Sequence, residues 1–69
     1  MLGNSSLRVY AFIKEYFEQF GYAPTMQEIA DATGLRKSTV SYHLYRLDQA
    51  GVIRMRRRRQ RGILLNKER

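Results

Sequence analysis

Apolar residues recur through residues 6–20 at Val9, Phe12, Ile13, Tyr16, Phe17 and Phe20. This i, i+3, i+4, i+7, i+8 spacing puts a stripe along one face of a helix. Arg8, Lys14, Glu15, Glu18 and Gln19 fall on the opposite face. Ser5 or Ser6 is expected to cap the start of this first helix, and Gly21 suits the left-handed position just past its end. An aromatic stripe of this kind forms core far more often than it forms a ligand box, so it reads as the buried face.

Pro24 then biases Ala23 away from helical geometry. Thr25-Met26-Gln27-Glu28 has the form of a capping box. The Thr25 oxygen can accept from the Glu28 amide while the Glu28 carboxylate reaches back to the Thr25 amide. A short second helix to about Thr33 is predicted, with Ile29 and Ala30, helped by Met26 and Ala32 or Thr33, on its apolar side. Gly34 closes it. Leu35-Arg36-Lys37 reads as a short turn with Leu35 pointing inward. Ser38 is the expected cap of a third helix running to about Ala50 and stopped by Gly51. Within it Val40, Leu44 and Leu47 lie within about 60° of one another at 100° per residue, an inward seam flanked by His43.

After Gly51 the period changes. Val52-Ile53-Arg54-Met55-Arg56 begins β-branched and roughly alternates, and Arg61-Gly62-Ile63-Leu64-Leu65 is a second short apolar run. Together they predict a β-hairpin over about 52–65, although the intervening residues lack the Asn-Gly or Asp-Gly of the tightest turns. Residues 66–69 are expected to fray. The pattern is mainly α: a three-helix core followed by a two-stranded antiparallel wing, one domain over residues 1–69.

Charge sharpens this outline. The 69 residues carry a net charge of +7. Residues 1–48 hold five bases and five acids, while residues 49–69 hold eight bases and one acid. All of the excess therefore lies in the last third, as expected for a segment that meets a polyanion. The chain has no cysteine, so neither a disulfide framework nor a thiolate metal site is available. No apolar run reaches the roughly 20 residues of a membrane span, and the first ten residues lack the basic and apolar regions of a signal peptide. A cytoplasmic, nucleoid-associated protein without a membrane partner is expected.

Two helices joined through a tight turn and followed by a basic hairpin make a winged helix-turn-helix, whose last helix is placed to enter a major groove of double-stranded DNA. Opposite the Val40, Leu44 and Leu47 seam lies a polar face with little acid. Ser38, Thr39, Ser41, Tyr42, Tyr45 and Arg46 are the candidate groove contacts. Two aromatics on a polar face favour a contact role over plain solvation. Thr25, Arg36 and Lys37 at the turns, with Arg56, Arg57, Arg58, Arg59 and Arg61 in the wing, are the candidate backbone contacts. So many like charges on one short loop are relieved by phosphates. A homodimer matching two half-sites is one arrangement such a reader takes.

Other chemistries find little support. His43 is the single histidine and, without cysteine or a second histidine, makes no zinc site; a partly buried packing or hydrogen-bonding role suits it better. No serine has a base and orienting acid disposed around it in the sequence, and there is no glycine-rich phosphate loop. Neither an enzyme nor a cofactor nor a small-molecule substrate is therefore expected. The alternatives are a winged domain for structured RNA, or one gripping an acidic protein partner.

GYAPTMQEIADATGL, preceded by the aromatic-aliphatic helix and followed by STVSYHLYRLDQAGVI and RQRGILL, resembles the DNA-binding domain of the LexA repressor family over about residues 7–65. The resemblance implies a winged fold and operator binding through the third helix, with Ser38, Thr39, Ser41, Tyr42, Tyr45 and Arg46 facing the groove and the wing on the backbone. The turn Gly34–Ser38 is one residue shorter than is usual in that family and closer to the general helix-turn-helix of other winged repressors, so the resemblance does not carry over the operator. The 69 residues hold no counterpart of the family's self-cleaving peptidase domain, and control through it is not expected of them.

Overall fold

A computed structural model describes residues 3–55 and 61–65. Helix α1 spans Asn4–Phe20, α2 Met26–Thr33 and α3 Lys37–Gln49; strands β1, Ile53–Met55, and β2, Ile63–Leu65, follow. The strands pair antiparallel with Ile53 opposite Leu65, Arg54 opposite Leu64 and Met55 opposite Ile63. This is the winged helix-turn-helix anticipated from the pattern, mainly helical with a two-stranded wing.

The core collects one or two residues per turn from every element. Val9 and Ile13 of α1, Ile29 and Ala30 of α2, and Val40, Leu44 and Leu47 of α3 are buried together with Ala23, Ile53 and Ile63. Leu35 packs against this cluster and so ties the helix-turn-helix turn to it. The α1 stripe divides along its length: Val9 and Ile13 are fully covered, Phe12 and Phe17 lean on the cluster's margin, and Phe20 is exposed.

The ends of the helices show which local rules prevailed. The Thr25 capping box forms in full, with Glu28 N–H donating to Thr25 Oγ1 at 3.1 Å and Thr25 N–H donating to Glu28 Oε1 at 2.8 Å. Gly34 takes φ 76°, and its amide donates to the Ala30 carbonyl. Thr33 Oγ1 donates to the Ile29 carbonyl, while Arg8 on α1 donates to the Thr33 carbonyl at 3.1 Å. The last turn of α2 is thereby closed from two sides.

The two serine caps do not form. Helix α1 begins at Asn4 with Gly3 in the N-cap position and no side-chain cap. Ser6 instead is 2% exposed, and its hydroxyl lies 2.8 Å from His43 Nδ1 on α3. A buried hydroxyl needs a partner, and a tertiary one has replaced the local one. Helix α3 begins one residue before the expected cap: Arg36 is its N-cap, again without a side-chain bond, and Ser38 lies in its first turn.

The exit of α3 aims the wing. Gly51 has φ 81°, Gly51 N–H donates to the Asp48 carbonyl, and Val52 N–H donates to the Leu47 carbonyl at 3.2 Å. This pair of bonds is a Schellman motif, which needs a residue tolerant of the left-handed region at its centre. It turns the chain so that Val52 packs on the core and Ile53 enters it.

Candidate nucleic-acid interface

Helix α3 is split lengthwise. Val40, Leu44 and Leu47 are at most 1% exposed, whereas Tyr42 and Tyr45 are 53% and 61% exposed. Ser38 and Ser41 are exposed beside them, Thr39 is half-buried, and Arg36 and Lys37 stand exposed at the helix start. Arg46 is half-buried; its Nη1 donates to Tyr42 Oη at 2.9 Å, and its guanidinium carbon lies 5.8 Å from the Tyr42 ring centre. The i, i+4 spacing of the two on one helix face makes this pairing local. The result is an outward surface of two phenols, two hydroxyls and a tethered guanidinium. His43 sits at its edge, half-buried against Tyr42 and bonded to Ser6, in the packing and hydrogen-bonding role expected for it.

A second cluster lies where β2 approaches the start of α2. Arg61 Nη1 donates to Glu28 Oε1 at 2.9 Å and to the Ala23 carbonyl at 2.8 Å, and Nη2 donates to Glu28 Oε2 at 3.1 Å. Nη1 also stands 3.3 Å from Tyr16 Oη, and the guanidinium carbon lies 4.8 Å from the Tyr22 ring centre. Tyr16, Phe20 and Tyr22 pack edge-on or tilted against one another around it. A planar fork meeting a carboxylate on two bonds, with aromatic faces beside it, is the arrangement arginine serves and lysine does not.

The charges of this cluster shift together. The Arg61 guanidinium first, and the Thr25 amide second, hold the Glu28 carboxyl at about 2, well below the usual carboxylate range. Glu28 in turn raises Arg61 further above its already high value. Burial, outweighing the Arg61 hydrogen bond, raises the Tyr16 phenol. An acid whose folded-state pKa is depressed adds stability above its unfolded pKa and loses it as pH falls through the folded one. Thermal midpoints of the wild type are therefore expected to fall more steeply between about pH 4 and pH 2 than those of Glu28→Gln. Parallel curves for the two proteins would remove the Glu28 contribution.

The model of the LexA DNA binding domain matches residues 2–62. The chain belongs to that family. It is 48% identical over 52 residues to the LexA repressor of Clostridium tetani, an alignment covering 74% of this chain and 26% of the relative. To the LexA repressor of Syntrophomonas wolfei it is 39% identical over 64 residues, covering 91% of this chain and 31% of the relative. To that of Corynebacterium jeikeium it is 38% identical over 63 residues, covering 90% and 24% respectively. The alignments thus span 24% to 31% of the length of these LexA repressors.

Set against the residues singled out by sequence, the LexA-type helix-turn-helix brings Arg36, Lys37, Ser38, Thr39, Ser41, Tyr42, Tyr45 and Arg46 onto or beside one helix. Thr25 stands apart at the start of α2, its hydroxyl accepting the Glu28 amide. Arg56, Arg57, Arg58 and Arg59 lie outside the described residues. Arg61 was grouped with them by charge, yet its guanidinium is turned onto Glu28. The residues that sequence reasoning missed are Glu28, Tyr16 and Tyr22 in their role as the seat of Arg61. One faint signal was there: Gln60 separates Arg61 from the arginine run. Among the described residues no group of His, Cys, Asp and Glu comes together as a metal site, and no helix is long and apolar enough to cross a membrane.

Proposed function

We propose that the chain is the DNA-reading head of a transcriptional repressor, binding double-stranded DNA with α3 in the major groove and the basic wing on the phosphate backbone. The observation that carries this reading is the outward face of α3, where Tyr42 and Tyr45 stand exposed in an α2–turn–α3 unit of the LexA family. The groove is about 12 Å wide, which admits a helix with its side chains. Ser38, Thr39, Ser41, Tyr42, Tyr45 and Arg46 read base edges or adjacent phosphates. Thr25, Arg36 and Lys37, with Arg56, Arg57, Arg58 and Arg59 of the wing, hold the backbone. Residues 1–69 act as a single domain, cytoplasmic and nucleoid-associated, that meets a two-fold operator as a homodimer, one copy per half-site. Membership of the LexA family favours duplex DNA over structured RNA or an acidic protein surface.

Fluorescence anisotropy with a labelled duplex tests the reading. Binding is expected at low salt, with log K falling linearly in log salt by about 0.9 for each phosphate neutralised. Binding that ignores salt, or no binding at the lowest salt, rejects it. Selection from a random duplex pool reads the symmetry: a palindromic consensus supports the dimer, and a single half-site rejects it.

A further inference from the structure

We infer that Arg61 is not a phosphate contact but the anchor of the wing, a positioning residue whose partner is the capping carboxylate of α2. The inference rests on the DNA-binding reading for its consequence and on geometry alone for the anchor. Both Glu28 oxygens are engaged by the Arg61 fork, and Oε1 also accepts the Thr25 amide. The Ala23 carbonyl and the faces of Tyr16 and Tyr22 complete the seat. Although the side chain is 39% exposed, Nη1 spends both of its hydrogens and Nη2 one of its two on this seat, so three of the five guanidinium donors are already engaged before any phosphate arrives.

The position of this joint matters more than its strength. Arg61 immediately precedes Gly62 and β2, while Glu28 is the third residue of α2 and closes the cap at Thr25. One carboxylate therefore links the start of α2 to the base of the wing across 33 residues of sequence. Two surfaces that must lie along the same DNA backbone are held at a fixed separation. Phosphates are evenly spaced, so contacts from both surfaces register together only if that separation is kept. Glu28, although acidic, thus favours the binding of a polyanion.

This consequence has a sign that separates it from the electrostatic alternative. In Glu28→Gln an acid is lost and the capping box is retained, since glutamine serves there as well. If Arg61 were a phosphate contact restrained by Glu28, the variant would bind DNA more tightly. As an anchor, it binds less tightly. Arg61→Lys keeps the charge and removes the fork; a phosphate contact would hardly notice, because lysine serves as a point charge there, whereas an anchor fails.

The test combines anisotropy on one duplex across a salt series with amide hydrogen exchange in the absence of DNA. Each single variant is expected to weaken binding about fivefold or more, with the salt slope within about one unit of wild type. The double variant is expected to be no weaker than the worse single, because both break one joint. Without DNA, amides of the β1–β2 ladder are expected to exchange about tenfold faster in either variant while those of α1 and α3 keep their rates. Tighter binding by Glu28→Gln, wild-type affinity in Arg61→Lys, additive losses in the double variant, or unchanged ladder exchange would each overturn the anchor. A wild-type chain that binds no duplex would reject the DNA reading instead, and the exchange comparison then decides the anchor alone.

Discussion

Ile13→Ala is expected to destabilise the protein by about 2–5 kcal/mol, the range for removing three buried carbons and leaving a cavity. Ile13 is fully covered at the middle of α1, in a cluster that draws on all three helices and both strands. No disulfide holds the chain together once that cluster is weakened. A domain of this size has a total stability of roughly 3–10 kcal/mol. The substitution therefore removes a large part of it, and the thermal midpoint is expected to fall by at least about 10 °C. Tyr45→Ala on the exposed face of α3 is expected to stay within about 0.5 kcal/mol of wild type. Circular dichroism melts of the two variants check the pair. A loss below about 1 kcal/mol for Ile13→Ala would mean that the helices do not converge on that side chain.

Replacing Arg57, Arg58 and Arg59 together by alanine is expected to produce the largest change in DNA affinity. These three lie outside the described residues, and their three adjacent positive charges carry the effect. If each neutralises one phosphate, the slope of log K against log salt falls by about 2.7, and affinity near physiological salt falls on the order of a hundredfold. The loss should be nearly uniform across duplex sequences, since phosphates carry no base identity. Tyr42→Ala is expected to do the opposite, altering the ranking of sequences with little change in slope. Folding should be unharmed by the triple change, because three crowded like charges are removed. A slope within one unit of wild type would mean that these arginines remain in solvent.

What could be read from the sequence was what local rules decide. The Val40, Leu44 and Leu47 seam follows from helical period, the Thr25–Glu28 box from spacing, and the turn from α3 into β1 from Gly51. All three rest on residues within one or two turns of each other. The failures share a cause. Ser6 looks like an N-cap because its neighbours are helical, yet its hydroxyl goes to His43, 37 residues away. Ser38 precedes good helix residues, yet α3 gains its first turn from Arg36, whose carbonyl accepts the Val40 amide. Glu28 already had a complete local role, so nothing within its own helix signalled that its second oxygen awaits Arg61. Arg61 in turn was hidden by its company: five arginines between positions 56 and 61 differ only in what the folded chain brings near them.

The lengthwise division of α3 has an evolutionary consequence. The side chains that anchor the helix are Val40, Leu44 and Leu47, and the exposed ones at 42 and 45 are spared that duty. Substitutions at these two outward positions can drift without eroding the fold. One scaffold can therefore be retargeted by exchanging a few outward letters, and a library varied at 41, 42 and 45 should yield folded members with divergent preferences. The limit on such retargeting is the neighbour at 43, which Ser6 ties to the interior and which cannot be randomised along with them.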